Sequence, residues 1–177
     1  SGDMASSLEH LLAALSLSEE ANNEEEKTVV CFRLGRAYAT LGDAHKSIEF
    51  LEKYMDAAVN DEKGMNRAFE VLATCYEKLD DLDRASSYLE RLVTTSTRVG
   101  QLNIASHAAA RLGDIFQSTG EMAKAVHWYN HAFNTARDLH DLAWITKCQI
   151  QLGRARAMAM STKYQECLSD NKMLDVV

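Results

Sequence analysis

Proline is missing from all 177 residues, and glycine occurs only eight times. A chain without proline meets no obligatory helix breaker, so its helices run until other signals stop them. Positive charge is also scarce. Nineteen Lys and Arg stand against 26 Asp and Glu, a formal net charge of −7. That balance excludes a general nucleic-acid surface, which needs clustered positive charge, but it leaves room for a local basic groove. No apolar run approaches the roughly 20 residues that cross a bilayer, and no charged-then-apolar start resembles a signal peptide. The four cysteines, Cys31, Cys75, Cys148 and Cys167, are scattered and show no CxxC spacing. A disulfide framework or zinc finger is therefore not expected. Reduced thiols in a cytosolic-type compartment fit better, each acting as a small hydrophobe in a helical pattern.

Catalytic signatures are absent as well. There is no Gly-rich phosphate loop, no HExxH and no GxSxG. A pairing of Cys31 with a distant His as nucleophile and base is arbitrary without geometry. The acidic run Glu19–Glu26 lacks the alternating oxygen ligands and glycine turn of a calcium loop, and reads as a solvated loop or helix start. The stretch "HWYNH" puts His127 and His131 four apart on one helix face, a metal-gripping spacing, yet no third and fourth ligand accompany them. The chain reads as a non-enzyme with no cofactor and no metal.

What is present is an internal period. Leu34, Leu72, Leu112 and Leu152 anchor similar segments, "CFRLGRAYATLGDAHKSIEFLEKY", "FEVLATCYEKLDDLDRASSYLERL", "AARLGDIFQSTGEMAKAVHWYNHA" and "QIQLGRARAMAM", separated by 38, 40 and 40 residues. Each unit predicts two helices. The first ends at Gly42, Asp80 or Gly120, where a left-handed residue stops the helix. Asp43, Asp81 or Glu121 then opens the second, favoured by the positive helix N-terminus. Gly35, Ala73, Gly113 and Gly153, one after each leucine, are expected to let the paired helices approach closely, as are Ser47, Ala85 and Ala125. Tyr38, Tyr76 and Phe116 are expected to fill the wedge between helices. In this register His127 aligns with Glu49 and Ser87, and His131 with Lys53 and Arg91. Both histidines are thus expected on the solvent side, with Trp128 and Tyr129 as packing residues.

Leu34-Gly35-x-x-Tyr38, Leu72-Ala73-x-x-Tyr76 and Leu112-Gly113-x-x-Phe116, with Ala85, Ala125 and Ala132, resemble the tetratricopeptide repeat family over roughly residues 28–156. The period is longer than the usual 34 or so residues, and the closing proline is missing. This variant is similar to the longer repeats of the LGN spindle-orientation adaptor, rapsyn and some axonemal tetratricopeptide proteins. The resemblance implies an all-α fold, an α-solenoid of stacked antiparallel helix pairs in a right-handed superhelix. First helices line the concave face, second helices the outside. The expected organisation is one array over 1–177. It comprises a second helix of an incomplete repeat (5–22), repeats at 25–60, 62–99 and 101–139, a degenerate or capping repeat at 141–168 with a short partner helix "TKYQECLS", and a frayed tail at 169–177. An array opening mid-repeat suggests part of a larger protein.

The resemblance also implies function: a scaffold or adaptor that holds a partner peptide in its concave groove. The residues expected there include Arg33, Arg36, Arg67, Thr74, Lys78, Arg111, Asp114, Gln117, Lys147 and Arg154. Arginine recurs although the chain is acidic, and its planar fork suits carboxylates, so the partner is expected to be acidic. The competing reading pairs these cations with Glu70, Asp114 and neighbouring acids. The family's chaperone-tail clamp is not expected. Arg111 is compatible with it, but Phe32, Arg36, Val71 and His107 replace the other residues. Two alternatives stand beside the adaptor. One is a structural module docking or self-associating in a cytoskeletal or axonemal assembly through edges at Leu8–Leu17 and Trp144–Met160. The other is a regulatory array of a larger enzyme. Either way the expected setting is cytoplasmic, with the cytoskeleton or cilium suggested by the relatives named above.

Overall fold

The structure, a computed structural model, describes residues 2–58 and 61–174, and among them all regular structure is helical. The chain divides into two compact units, Ser1–Val99 and Gly100–Val177. The first contains α1 (Gly2–Glu20), α2 (Glu24–Leu41), α3 (Ala44–Ala57), α4 (Glu62–Lys78) and α5 (Leu82–Arg98). The second contains α6 (Leu102–Ser118), α7 (Met122–Asp138) and α8 (Leu142–Leu174). Within them α2 packs with α3, α4 with α5 and α6 with α7, while α1 lies on α2, α3 on α4 and α8 on α7. The fold is all-α, an α-solenoid of stacked antiparallel helix pairs.

The punctuation is local. Gly42 (φ 87°), Asp80 (φ 59°) and Gly120 (φ 82°) occupy the left-handed region between the helices of each pair. Asn22, Gly100 and His140 do the same between pairs. A side chain at positive φ costs roughly 1–2 kcal/mol, which Asn and Asp offset in part with local hydrogen bonds. The next helix is then capped. Asp43, Asp81 and Asp141 accept hydrogen bonds from the amides of Lys46, Arg84 and Trp144 at 3.0–3.1 Å. Asn23 caps Glu26 at 3.2 Å. Each such cap stabilises by about 1 kcal/mol. Glu121 makes no side-chain cap.

Packing follows the anchoring leucines. Leu34, Leu72 and Leu112 are completely buried, as are Ala73, Ser47, Ala85 and Ala125. A Cβ on Gly35 would lie 2.6 Å from Leu51 Cγ, and one on Gly113 would lie 2.5 Å from the Tyr129 ring. Here paired helices touch with no room for a methyl group. Tyr38 stacks on Phe50 and Tyr76 on Tyr88, each with centroids 5.6 Å apart. A cation then caps each wedge residue: Lys46 over Tyr38, Arg84 over Tyr76 and Lys124 over Phe116, at 5.0–5.4 Å. Each of these cations also pairs with the acid three residues before it. The acid–cation–aromatic arrangement is thus part of the repeat.

Two expectations change. Gly153 does not mediate a close approach, because a Cβ there meets nothing within 4 Å. And no turn separates 141–156 from the expected partner helix "TKYQECLS": α8 continues unbroken for 33 residues. The reason is the missing stop signal. Residues 154–168 contain no glycine and are rich in Arg, Ala and Met, all strong helix formers. The backbone of 169–174 continues the helix, and the frayed-tail expectation for 175–177 lies outside the described residues.

Three sequence-equivalent glycines should therefore respond oppositely to alanine. Gly35→Ala and Gly113→Ala should cost roughly 1–3 kcal/mol through overpacking. Gly153→Ala should stabilise by roughly 0.5–1 kcal/mol through helix propensity alone. Urea unfolding midpoints check the signs.

Tyr54 supplies a pH handle. Its hydroxyl is buried and donates to Asp61 Oδ2 at 3.1 Å, while Asp61 Oδ1 caps Gly64 at 2.9 Å. Burial, then the Asp61 hydrogen bond and charge, push its pKa up to about 12. The unfolded phenol ionises near pH 10, so the contribution is fully present below that and is lost as pH rises toward 12. Tyr54→Phe should flatten that part of the alkaline loss in a series of melts from pH 9 to about 12.

Candidate interaction surface

In the first unit, α2 and α4 present neighbouring faces, joined where Lys78 Nζ donates to the Ala39 carbonyl at 3.4 Å. Arg33, Arg36, Arg67 and Lys78 all stand exposed there, and Thr74 is half-buried with its hydroxyl on the Glu70 carbonyl. Arg36 lies over the Phe32 ring at 5.9 Å. Among the described residues none of Arg33, Arg36, Arg67 and Lys78 is in an ion pair with a carboxylate, Glu70 included.

The second unit is arranged differently. Tyr129, from the outer helix α7, reaches through the Gly113 contact to the α6 side. Its hydroxyl donates to Asp114 Oδ1 at 2.6 Å and lies 3.3 Å from Gln117 Oε1. Gln151 of α8 donates to the same Asp114 oxygen at 3.2 Å. Burial, followed by Asp114, raises the tyrosine's pKa well above its usual range. Asp114 and Gln117 are therefore engaged within their unit. Arg111 is half-buried and takes part in an interaction of its own. Lys147 and Arg154 are exposed, with Lys147 5.1 Å from the centroid of the Trp144 ring.

Trp144 was expected at an edge, and it is a junction. Its indole N–H donates to Ser106 Oγ at 2.7 Å, and Ser106, fully buried, donates to the Ala132 carbonyl at 2.9 Å. One hydroxyl thereby ties α6, α7 and α8. The indole also stacks on His107 with centroids 3.9 Å apart. His107 stands where the family's clamp would have another residue, and the sequence held no signal for its partner 37 residues on.

The histidines of "HWYNH" part company. His127 is exposed, but His131 is half-buried beside Trp128, with its Nδ1 3.5 Å from Thr135 Oγ1. The expectation of two outward histidines holds for His127 and fails for His131, whose ring is half-buried against its own helix at Thr135. Burial, then the neighbouring His127, lowers its pKa. Among the described residues, no group of three or more His, Cys, Asp and Glu could hold a metal ion.

These helix pairs, with their small-residue contacts and left-handed turns, place the chain among helical repeat proteins. A sequence model of the tetratricopeptide repeat matches residues 29–58, 67–96 and 106–138, more than half of the chain, which therefore belongs to the tetratricopeptide repeat family. That family generally comprises non-catalytic scaffolds for protein–protein interaction. Similar curated proteins are tetratricopeptide repeat protein 29 of Trypanosoma brucei brucei (strain 927/4 GUTat10.1) and of Homo sapiens. The first is 24% identical over 144 residues, 80% of this chain and 30% of that protein. The second is 22% identical over 152 residues, 85% and 32%. The chain thus spans about a third of the length of these relatives. Among solved structures, BtubC (BKLC) from P. vanneervenii superposes with a TM-score of 0.75 at 20% identity, covering 99% of this chain and 74% of that one. No helix among the described residues is long and apolar enough to cross a membrane.

The thiols provide a direct test of the burial pattern. Cys31, Cys75 and Cys148 are buried, and Cys167 is exposed. Burial raises the pKa of Cys31 and takes that of Cys148 to about 11, which removes the thiolate needed for reaction. Ellman's reagent should titrate Cys167 at once in the native chain, and the other three only after denaturation.

Proposed function

We propose that the chain is an adaptor module whose first-helix faces hold an acidic segment of a partner protein. The observation that carries this is the set of exposed cations Arg33, Arg36, Arg67 and Lys78 on α2 and α4, with no carboxylate paired to them among the described residues, in a chain of net charge −7. Solvated cations that merely offset local acids would be expected beside those acids, and Glu70, on the same helix as Arg67 and Lys78, forms no ion pair with them. Arginine forks and a lysine on adjacent helices suit carboxylates spaced along an extended or helical segment. In the second unit Lys147 and Arg154 offer the same chemistry, with the His107–Trp144 stack as an apolar platform. The buried free thiols and the resemblance to axonemal relatives favour a cytoplasmic, cytoskeleton-associated setting.

The test is capture by the intact chain. A poly-glutamate-rich peptide carrying interspersed Leu and Phe should bind, and binding should weaken as salt rises. Arg33→Glu, Arg36→Glu and Arg67→Glu combined should reduce affinity by about tenfold or more, since charges facing an acidic ligand are then reversed. Circular dichroism should be unchanged, because all three are exposed. Unchanged affinity in the triple variant sinks the reading.

A further inference from the structure

In every pair described, the second helix covers one particular face of the first. Leu51 seats against Gly35, Tyr129 seats against Gly113, and Ala73 on α4 is completely buried. On α8 the corresponding residue is Gly153, and the space in front of it is open. α8 buries the side that meets its own unit, with Cys148, Leu152 and Ala155 inside and Trp144 and Gln151 bonded to α6. On the opposite side Ile150, Gly153, Ala157, Met160, Tyr164 and Cys167 follow one another at spacings of three and four, and all are exposed. Ile150, Met160 and Tyr164 are 59%, 74% and 67% exposed, far too much for packing residues. Alternate three-four spacing of apolar and small residues is the seam along which one helix packs on another.

Charge frames this seam. From Leu142 to Gln165, α8 carries Lys147, Arg154, Arg156 and Lys163 and no acid at all. At about 100° per residue, Lys147 and Arg154 fall on one flank of the seam, and Arg156 and Lys163 on the other. All four are exposed, and none is in an ion pair among the described residues. Among the described residues Arg156 donates to Asn130 Oδ1, at 3.5 Å.

We propose that this face of α8 is a docking seat for an acidic amphipathic helix of a partner protein, which takes the place that α3, α5 and α7 take in the other pairs. The occupant carries a large apolar residue over Gly153, as Tyr129 sits over Gly113, and Glu or Asp along both flanks. A second copy of the chain fits less well. Two α8 helices paired antiparallel would set Arg154, Arg156 and Lys163 of one against the same cations of the other, and like charges across a helix interface repel. The seat is separate from the α2–α4 cations and does not depend on them.

Two fluorescein-labelled helical peptides of about three heptads test this, both with Leu and Ala along the seam, one flanked by Glu and one by Lys. The Glu peptide should bind the full chain at least about tenfold more tightly than the Lys peptide, with the preference fading toward 0.5 M salt. Arg156→Glu with Lys163→Glu should invert the preference. Gly153→Leu, which fills the seat while leaving α8 helical by circular dichroism, should abolish binding. All of these measurements use the full chain carrying Arg33→Glu, Arg36→Glu and Arg67→Glu, so that the α2–α4 face, which also attracts acidic peptides, does not contribute. Equal binding of both peptides, binding of neither, or full affinity in Gly153→Leu overturns the proposal. So does sedimentation showing a dimer of the chain alone that dissolves in Gly153→Leu, since a second copy is then the occupant.

Discussion

Everything in the fold depends on how closely two helices of a pair can approach one residue after the buried leucine. At Gly35 and Gly113 the partner's side chain occupies the volume a methyl group would need. That contact fixes the separation of the pair, and the separation fixes which residues can reach across. Tyr129 is the clearest case. Because Gly113 offers no Cβ, the ring lies flat against the α6 backbone and its hydroxyl emerges at Asp114 and Gln117 on the far side. A residue of α7 thereby orients the Asp114 carboxylate and the Gln117 amide of α6.

The sequence carried most of this because repeats multiply weak signals. One Leu-Gly pair says little, but three such pairs and the equivalent Leu72-Ala73, at a period of 38–40 residues, fix helix boundaries, pairing and core. What it left unread are contacts whose partners lie in different elements. The cations Lys46, Arg84 and Lys124 stand at equivalent positions and cap the aromatic wedge, yet on a helical wheel they look like ordinary solvated lysines and arginine. The Ser106–Trp144 link joins residues 38 positions apart and breaks the repeat register. His131 was misplaced because alignment with the long, flexible Lys53 and Arg91 says nothing of how far a short imidazole at that position reaches toward solvent.

Gly153 shows the limit of reading by register. Its position in the motif is the same as that of Gly35 and Gly113, so alignment assigns it the same packing contact. Whether the contact exists depends on the following twenty residues, where a turn would have had to bring a second helix back. No Gly-Asp turn occurs there, and strong helix formers carry α8 straight on. A motif defined on one helix thus foretells a tight interface only when the chain supplies the other half.

The same separation of pattern from surface explains how an acidic protein can display basic faces. The positions that fix the fold are the leucines, the small residues, the aromatic wedge and the turn residues, and these are almost all neutral apart from the capping acids. Those acids sit at helix N-termini, where the backbone amides and macrodipole hold them. Charge elsewhere is left free of the packing code. On α2 and α4 that freedom is taken up by Arg33, Arg36, Arg67 and Lys78, and on α8 by Lys147, Arg154, Arg156 and Lys163, with no carboxylate paired to them among the described residues. Holding like charges together on a surface costs stability in the isolated chain, and nothing in the packing requires it. An opposite charge supplied from outside the chain relieves that repulsion, which is the physical ground for reading these faces as binding surfaces.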